Sequence, residues 1–112
     1  MSIQYPPNNP MVVDLPFSEL KIAAELKAVN EAVGDNSNCD VIIDFSRVEV
    51  LTSSSLSNLL ILHNLLTERG DRLILCNVSV ITKCVFTVAG IDEVFEFASD
   101  KSGAVAAVQA SH

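Results

Sequence analysis

Basic residues are scarce in this chain of 112 residues, which has 7 Lys and Arg against 14 Asp and Glu and a formal net charge of −7. A chain without a Lys/Arg cluster offers little to nucleic acid or to an anionic membrane surface. Long apolar runs are also lacking, since none approaches the roughly 20 residues that cross a bilayer. The N-terminus has neither a basic start nor an apolar signal core. We therefore expect a cytoplasmic protein that neither binds nucleic acid nor inserts into a membrane.

Cysteine and glycine are too sparse to build the usual disulfide, metal or phosphate sites. The three cysteines, Cys39, Cys76 and Cys84, are odd in number and show no C-x-x-C spacing, unlike a disulfide framework or a zinc site. Because cysteine is among the residues most often buried, we expect buried free thiols. The 4 glycines form no G-x-G-x-x-G, Walker A or G-x-S-x-G motif, so neither a metal nor a cofactor is expected.

What the chain does contain is an alternation of strand-like and helix-like segments within a composition, 49% apolar, that is typical of folded proteins. Periodicity predicts strands at 11–15, 41–45, 73–76 and 94–97, an edge strand at 2–5, helices at 18–33, 53–69 and 79–89, and a last helix from Asp100 or Ser102. We expect one α/β domain over residues 1–112, with 1–10 as an irregular segment or short edge strand. Its sheet should be small, mixed or mostly parallel, with four to five strands and about four helices.

Apolar stripes and glycines predict the faces and ends of these helices. The first and third helices each have one stripe that should face the core, formed by Ile22, Leu26, Val29 and Val33 and by Ile81, Val85 and Val88. Ser18 stands where the first helix needs an N-cap. Helix ends with left-handed backbone are predicted at the glycines that follow the three helices, Gly34, Gly70 and Gly90.

The most distinctive segment is the hydroxyl cluster at residues 52–55, Thr-Ser-Ser-Ser, which precedes a leucine-rich helix. Backbone N–H groups at a helix start lack intrahelical partners, and the helix dipole favours negative charge there. In one interpretation Thr52 or Ser53 caps the helix and stabilises it by about 1 kcal/mol. In the other, one hydroxyl accepts a phosphate, which adds close to two negative charges beside N–H donors. The residues alone leave both interpretations open.

The same helix carries a polar stripe opposite its leucine face, the docking stripe, formed by Ser57, Ile61, Asn64 and Glu68. We expect this stripe to be exposed. Ile61 is its one apolar member, and although single exposed isoleucines are common, a partner docked at the hydroxyl cluster could cover it as well.

Residue types that serve in catalysis are few and scattered. His63 falls within the apolar arc of the second helix, where we expect its ring to bond a neighbouring polar group. Asp14 and Asp44 end strands, as site carboxylates do in α/β proteins, but no phosphate-binding glycine loop accompanies them, so we expect both to be solvated. A small-ligand site or a degenerate enzyme would need a pocket that joins these three residues.

The segment V-I-I-D-F-S-R-V-E-V-L-T-S-S-S-L-S-N-L-L resembles the signature of STAS domains of the anti-sigma factor antagonist family. That signature is an apolar strand ending Asp-Leu-Ser, an apolar link, Asp-Ser-Ser-Gly-Leu-Gly and a leucine-rich helix. R-L-I-L-C-N-V-S and V-F-T-V-A-G-I-D-E-V-F-E-F resemble later parts of the same family. The likeness covers about residues 11–108 and implies a small bacterial α/β domain that is not an enzyme and binds a protein partner.

In that family the partner is a serine kinase that also sequesters a sigma factor. The resemblance implies that the unphosphorylated chain binds this anti-sigma factor and frees the sigma factor. Phosphorylation then separates the pair until a phosphatase resets the switch. By position, the phosphoacceptor corresponds to Ser53, the signature Asp to Thr52, the second Ser to Ser54, and the two glycines to Ser55 and Ser57.

The chain departs from this pattern at the switch itself. Thr52 lacks the charge of the family's Asp, Ser55 and Ser57 replace glycines, and Glu19 is the nearest match to a Leu-Asp near the first helix. We predict phosphorylation at Ser53, ahead of Ser54 and Thr52. The predicted partner surface comprises Thr52, Ser53, Ser54, Ser55, Ser57, Ile61 and Glu19. A second reading stays open, in which the domain is a STAS accessory subunit of a transport complex or a stress-signalling scaffold that docks here without a phosphorylation cycle.

Overall fold

A computed structural model of the chain describes residues 2–4, 10–35 and 39–110. In this part of the chain five strands form one sheet in the order β1-β2-β3-β4-β5. Their bounds are β1 Ser2–Gln4, β2 Met11–Asp14, β3 Val41–Asp44, β4 Leu73–Cys76 and β5 Glu96–Ala98. β1 runs antiparallel to β2, and β2 to β5 are parallel to one another. The predicted α/β class with a mostly parallel sheet and a short edge strand is confirmed.

The described residues also form four helices, each of which follows a parallel strand in the chain. Their bounds are α1 Glu19–Asp35, α2 Ser53–Glu68, α3 Val80–Val88 and α4 Lys101–Ala110. Because each helix leaves the carboxyl end of its strand, all four helix N-termini lie at one edge of the sheet, which we call the carboxyl edge. The hydroxyl cluster belongs to this edge.

The two faces of the sheet bury different side chains because successive strand residues point in opposite directions. The larger core cluster joins buried residues of α1, α2 and α3 to one face, formed by Met11, Val13, Val41, Ile43, Leu73 and Leu75. The smaller cluster sets α4 against the other face and contains Val12, Ile42, Ile74, Cys76, Ala104 and Val108. The central strands are therefore covered on both faces, as their continuous apolar runs predict.

Helix α1 packs beside α2 as its apolar stripe predicts. Ile22, Leu26, Val29 and Val33 are all fully buried. The carbonyl of Ser18 accepts from the N–H groups of Lys21 and Ile22, so Ser18 occupies the N-cap position directly before the first helical residue, Glu19. Near the other end, Arg69 Nη1 donates to the Val33 carbonyl at 2.7 Å.

Two of the three predicted glycine helix ends are confirmed. Gly70 and Gly90 follow α2 and α3 with φ of 78° and 74°, the left-handed backbone that glycine adopts without strain. The prediction for Gly34 is wrong, because α1 continues through it to Asp35. A glycine inside a helix costs only about 1 kcal/mol relative to alanine, and the packing of α1 on α2 outweighs this cost.

The predicted core face of α3 is wrong. Ile81 is 75% exposed and Val88 is 88% exposed, whereas Thr82 and Phe86 are buried. The rotation follows from the bulk of Phe86, whose ring centroid lies 5.5 to 6.4 Å from those of Phe45, Phe95 and Phe97. An aromatic ring buries more apolar area than a valine, so this cluster, and not the stripe of Ile81, Val85 and Val88, determines which side of α3 faces inward.

Two of the three cysteines are buried and one is exposed. Cys39 and Cys76 are buried free thiols, as predicted, but Cys84 is exposed because α3 turns Phe86 and not Cys84 towards the core. Burial, reinforced by the nearby charge of Asp44, raises the pKa of the Cys76 thiol to about 11. Cys76 therefore stays protonated and unreactive at neutral pH.

Candidate functional site

Helix α2 begins with a cap built from two of the four clustered hydroxyls. Thr52 has extended backbone, and its Oγ1 accepts from the Ser55 N–H at 3.2 Å. The same oxygen donates to Ser55 Oγ, also at 3.2 Å. The Ser55 side chain is fully buried. Capping therefore occupies Thr52 and Ser55, and we leave Ser55 out of the surface that a partner can contact.

The other two hydroxyls, those of Ser53 and Ser54, are exposed on the first turn of α2. Their backbone N–H groups belong to the first positions of the helix, where no intrahelical carbonyl is available. The first turn of α2 contains no acidic residue that would already satisfy these donors. An anion attached to the Ser53 hydroxyl would therefore meet unpaired N–H groups and the positive end of the helix dipole.

The segment that leads from β3 to this helix, residues 45–52, is the switch link. Phe45 and Val48 are buried and anchor it to the core, while Val50 is 53% exposed. At its start the Ser46 N–H donates to Asp44 Oδ1 at 2.8 Å, and at its end Thr52 caps α2. The link is thus fixed at both ends, which determines where Ser53 lies.

Asp44 is buried and not solvated, contrary to the sequence-based prediction. Besides Ser46, its Oδ1 accepts from Asn77 Nδ2 at 3.2 Å. Burial alone would raise the pKa of this carboxyl, but the hydrogen bonds from Ser46 and Asn77 and the charge of Lys101 lower it overall. Asp44 is therefore ionised at neutral pH despite its burial.

The contacts of the three residues that a small-ligand site would require place His63 apart from Asp14 and Asp44. Asp14 Oδ1 bonds Lys101 Nζ at 2.7 Å, and Asp44 Oδ2 lies 3.6 Å from the same nitrogen. His63 lies apart from them on α2, where its ring packs edge-on against Phe95 at a centroid distance of 5.6 Å and not against the polar group that was predicted. Within the described ranges, no group of three or more His, Cys, Asp or Glu could hold a metal ion.

The docking stripe lies where the sequence predicts it. Ser57, Asn64 and Glu68 are exposed, and Ile61 is 55% exposed. Glu19 is also exposed at the first position of α1, at the same carboxyl edge as Ser53.

Sequence reasoning missed an apolar groove at this edge. The groove has a volume of about 390 Å³, and its lining consists of Phe17, Ser18, Glu19, Leu20, Glu49 and Val50. Phe17 is 58% exposed and Leu20 is 83% exposed. Exposed apolar residues that are this close together mark contact surfaces more often than single ones do. Leu20 could have been identified, since it lies off the stripe that α1 buries.

The arrangement as a whole suits recognition by a macromolecule. It combines accessible hydroxyls, unpaired helix N–H groups and exposed apolar side chains along one edge.

Among the helices of the described residues, none is both long enough and apolar enough to cross a membrane.

Comparison with known proteins gives one family and one fold. The model of the STAS domain matches residues 17–104. An anti-sigma-factor antagonist (STAS) domain protein from Planctomyces limnophilus superposes with a TM-score of 0.78 at 24% identity, over 96% of this chain and 97% of that one. The unphosphorylated anti-sigma factor antagonist SpoIIAA gives a TM-score of 0.80 at 19% identity, over 97% and 96% of the two chains. A sulfate transporter family protein from Wolinella succinogenes gives 0.77 at 20% identity, over 96% and 89%. No curated protein matches by sequence, and at these identities the structural likeness establishes the fold.

Proposed function

This chain belongs to the STAS domain family, and from that premise we propose that it is a regulatory protein-binding domain, switched by phosphorylation of Ser53, whose partner is an anti-sigma serine kinase. The family is generally one of non-enzymatic regulatory or binding domains. The observation that carries the proposal is the exposed Ser53 hydroxyl on the first turn of α2, beside a cap that does not use it.

The proposed contact surface begins at the carboxyl edge and extends along the exposed side of α2. It contains Thr52, Ser53, Ser54, Ser57 and Ile61 on or next to α2, Glu19 on α1, and the groove residues Phe17, Leu20 and Val50. Apolar side chains supply most of the gain on binding, and polar groups around them fix the orientation.

Phosphorylation would act on this surface through charge. The phosphate would find N–H donors at the start of α2, so the fold tolerates it. For a docked partner the same two charges create a desolvation cost, and repulsion if acidic groups face them. The chain already has a net charge of −7, so the modification strengthens an existing bias against acidic partners.

A second candidate is a docking subunit that uses the same surface without a phosphorylation cycle, in a transport complex or a stress-signalling scaffold. Thr52 favours it, because a neutral cap replaces the carboxylate of the family signature. The structural likeness to a sulfate transporter family protein is consistent with it.

Binding measurements on wild type and three variants test the proposal. Wild type, Ser53→Ala and Ser53→Asp would be compared against the anti-sigma serine kinases encoded in the same genome, with Val80→Asp as a control that adds the same charge to the start of α3. We expect wild type, Ser53→Ala and Val80→Asp to bind alike and Ser53→Asp to bind roughly tenfold or more weakly, because like charges across an interface cost several kcal/mol. If Ser53→Asp binds like wild type, docking without a switch is favoured instead.

A further inference from the structure

Four neighbouring parallel strands each contribute one polar side chain to a single cluster at the carboxyl edge. Asp14 ends β2, Asp44 ends β3, Asn77 follows β4, and Lys101 opens α4 after β5. Lys101 Nζ lies 2.7 Å from Asp14 Oδ1 and 3.6 Å from Asp44 Oδ2. One cation thus faces two carboxylates and offsets part of the cost of burying the Asp44 charge.

Asp44 is the member that touches both segments leaving the central strands. Its side chain is 8% exposed. Its Oδ1 accepts from the Ser46 N–H at 2.8 Å, at the start of the switch link, and from Asn77 Nδ2 at 3.2 Å, at the start of the segment between β4 and α3. Asn77 has a φ of 55°, a left-handed conformation that asparagine tolerates better than most residues.

A carboxylate that bonds the N–H two residues later fixes the direction in which the chain leaves the strand. At Asp44 this local turn is also braced by Asn77 from the neighbouring strand. A buried carboxylate, which is not part of the proposed contact surface, therefore sets the direction of the switch link.

We propose that Asp44 is a positioning residue for Ser53: its carboxylate orients the switch link, and so fixes where the Ser53 hydroxyl is offered to a kinase. The step from the link to the kinase rests on the proposed function, whereas the orientation of the link by Asp44 does not. Lys101 and Asn77 act through Asp44, since they hold its carboxylate ionised and in place.

Asp14 provides a matched control within the same cluster. It too ends a strand and pairs with Lys101, but its described side-chain contact is with Lys101 and not with the switch link. If the cluster merely stabilised the fold, truncating either aspartate would loosen the protein in a similar way.

Amide hydrogen exchange followed by NMR separates the two possibilities without any kinase. In Asp44→Ala we expect the hydrogen-bonded amides within residues 46–56, those of Ser46, Val48, Ser55 and Leu56, to exchange roughly tenfold faster than in wild type, relative to the amides of β3 and β4, because the link loses the side-chain bond at its start. Asp44→Asn should restore the wild-type pattern, since its amide oxygen can still accept from Ser46. Asp14→Ala should leave the ratio unchanged.

The same variants connect the link to phosphorylation. We expect the kcat/KM of a kinase for Ser53 to fall roughly tenfold in Asp44→Ala and to recover in Asp44→Asn, in step with the exchange ratio. A uniform rise of exchange in Asp44→Ala, or an equal change at residues 46–56 in Asp14→Ala, would overturn the inference. If wild type accepts no phosphate, the proposed function fails while the exchange ratio still decides the role of Asp44.

A milder variant covers the case in which Asp44→Ala does not fold. Asp44→Glu keeps the charge opposite Lys101 but moves the acceptor oxygens away from the Ser46 N–H. Faster exchange confined to residues 46–56 supports the inference, and exchange at the wild-type ratio contradicts it.

Discussion

Helices α2 and α3 begin in the same way and differ in what they expose. In each, a capping hydroxyl accepts from the N–H of the residue three places on and donates to the buried hydroxyl of that residue. The two pairs are Thr52 with Ser55 and Ser79 with Thr82. Two exposed residues lie in sequence between the members of each capping pair. They are Ser53 and Ser54 in α2 but Val80 and Ile81 in α3.

The comparison separates the hydroxyls that the fold needs from those that it does not. Because α3 builds the same cap around two apolar residues, the cap does not require serine at those positions. Thr52 and Ser55 are explained by helix capping, whereas Ser53 and Ser54 are not. Their hydroxyls are the ones free to serve a function.

The correspondence continues along both helices. Counted from the first helical residue, Ser57 matches Cys84 and Ile61 matches Val88, and all four are exposed. Each proposed contact on α2 therefore has a counterpart on α3, whose substitution controls for changes to an exposed helix position.

The largest contrast is expected from bulky labels at Ser57 on α2 and at its counterpart on α3, Cys84. A maleimide reagent attached to native Cys84 should leave binding of the kinase unchanged. The same reagent on Ser57→Cys, in a Cys84→Ser background, should weaken binding roughly a hundredfold, because it obstructs the centre of the proposed surface. Calorimetry on both labelled proteins checks this, and equal loss in the two would break the comparison.

A charge at the next matched pair should have a smaller effect. Ile61→Glu removes an apolar contact and should weaken partner binding roughly tenfold, as truncation of a moderate interface contact does. Val88→Glu, at the same place on α3, should bind like wild type. If surface plasmon resonance gives similar affinities for the two variants, Ile61 is no part of the interface.

The caps themselves should behave alike. Thr52→Ala and Ser79→Ala should each lower the free energy of unfolding by about 1 kcal/mol, the usual cost of losing an N-cap. Ser53 makes neither bond of the cap, so Ser53→Ala should change the free energy of unfolding by less than about 0.5 kcal/mol. Urea denaturation of the three variants measures this. A loss at Ser53→Ala as large as that at Thr52→Ala would mean that Ser53 has a structural role.

The smallest effect concerns the helix dipoles. Ser53→Asp and Val80→Asp place a carboxylate at the first residue of each helix and should each stabilise the fold by about 0.3–1 kcal/mol at low salt. The gain should decrease at higher ionic strength. Thermal unfolding at two salt concentrations checks both; destabilisation by Ser53→Asp would show that a charge is poorly tolerated there.

Much of the secondary structure and part of the candidate site could be predicted from local chemistry. The positions of the strands and helices and a cap at Thr52 or Ser53 follow from periodicity and from the preference of hydroxyls for helix starts, and both are properties of neighbouring residues. The exposed docking stripe with Ile61 was predictable for the same reason, because the leucine face of α2 is unambiguous.

The errors concern tertiary contacts. The core face of α3 depends on Phe86 meeting aromatic rings from other elements. Nothing within nine mostly apolar residues selects that face. Asp44 is buried because Asn77 and Lys101, both distant in the chain, satisfy its carboxylate. The groove lined by Phe17, Leu20 and Val50 likewise joins two segments that only the fold brings together.

The most direct test is to map the phosphate after the chain is incubated with ATP and the kinase that binds it. The account predicts one phosphate, on Ser53, that is absent in Ser53→Ala and retained in Ser54→Ala. A chain that binds the kinase but carries no phosphate, or carries it on another residue, would contradict the account.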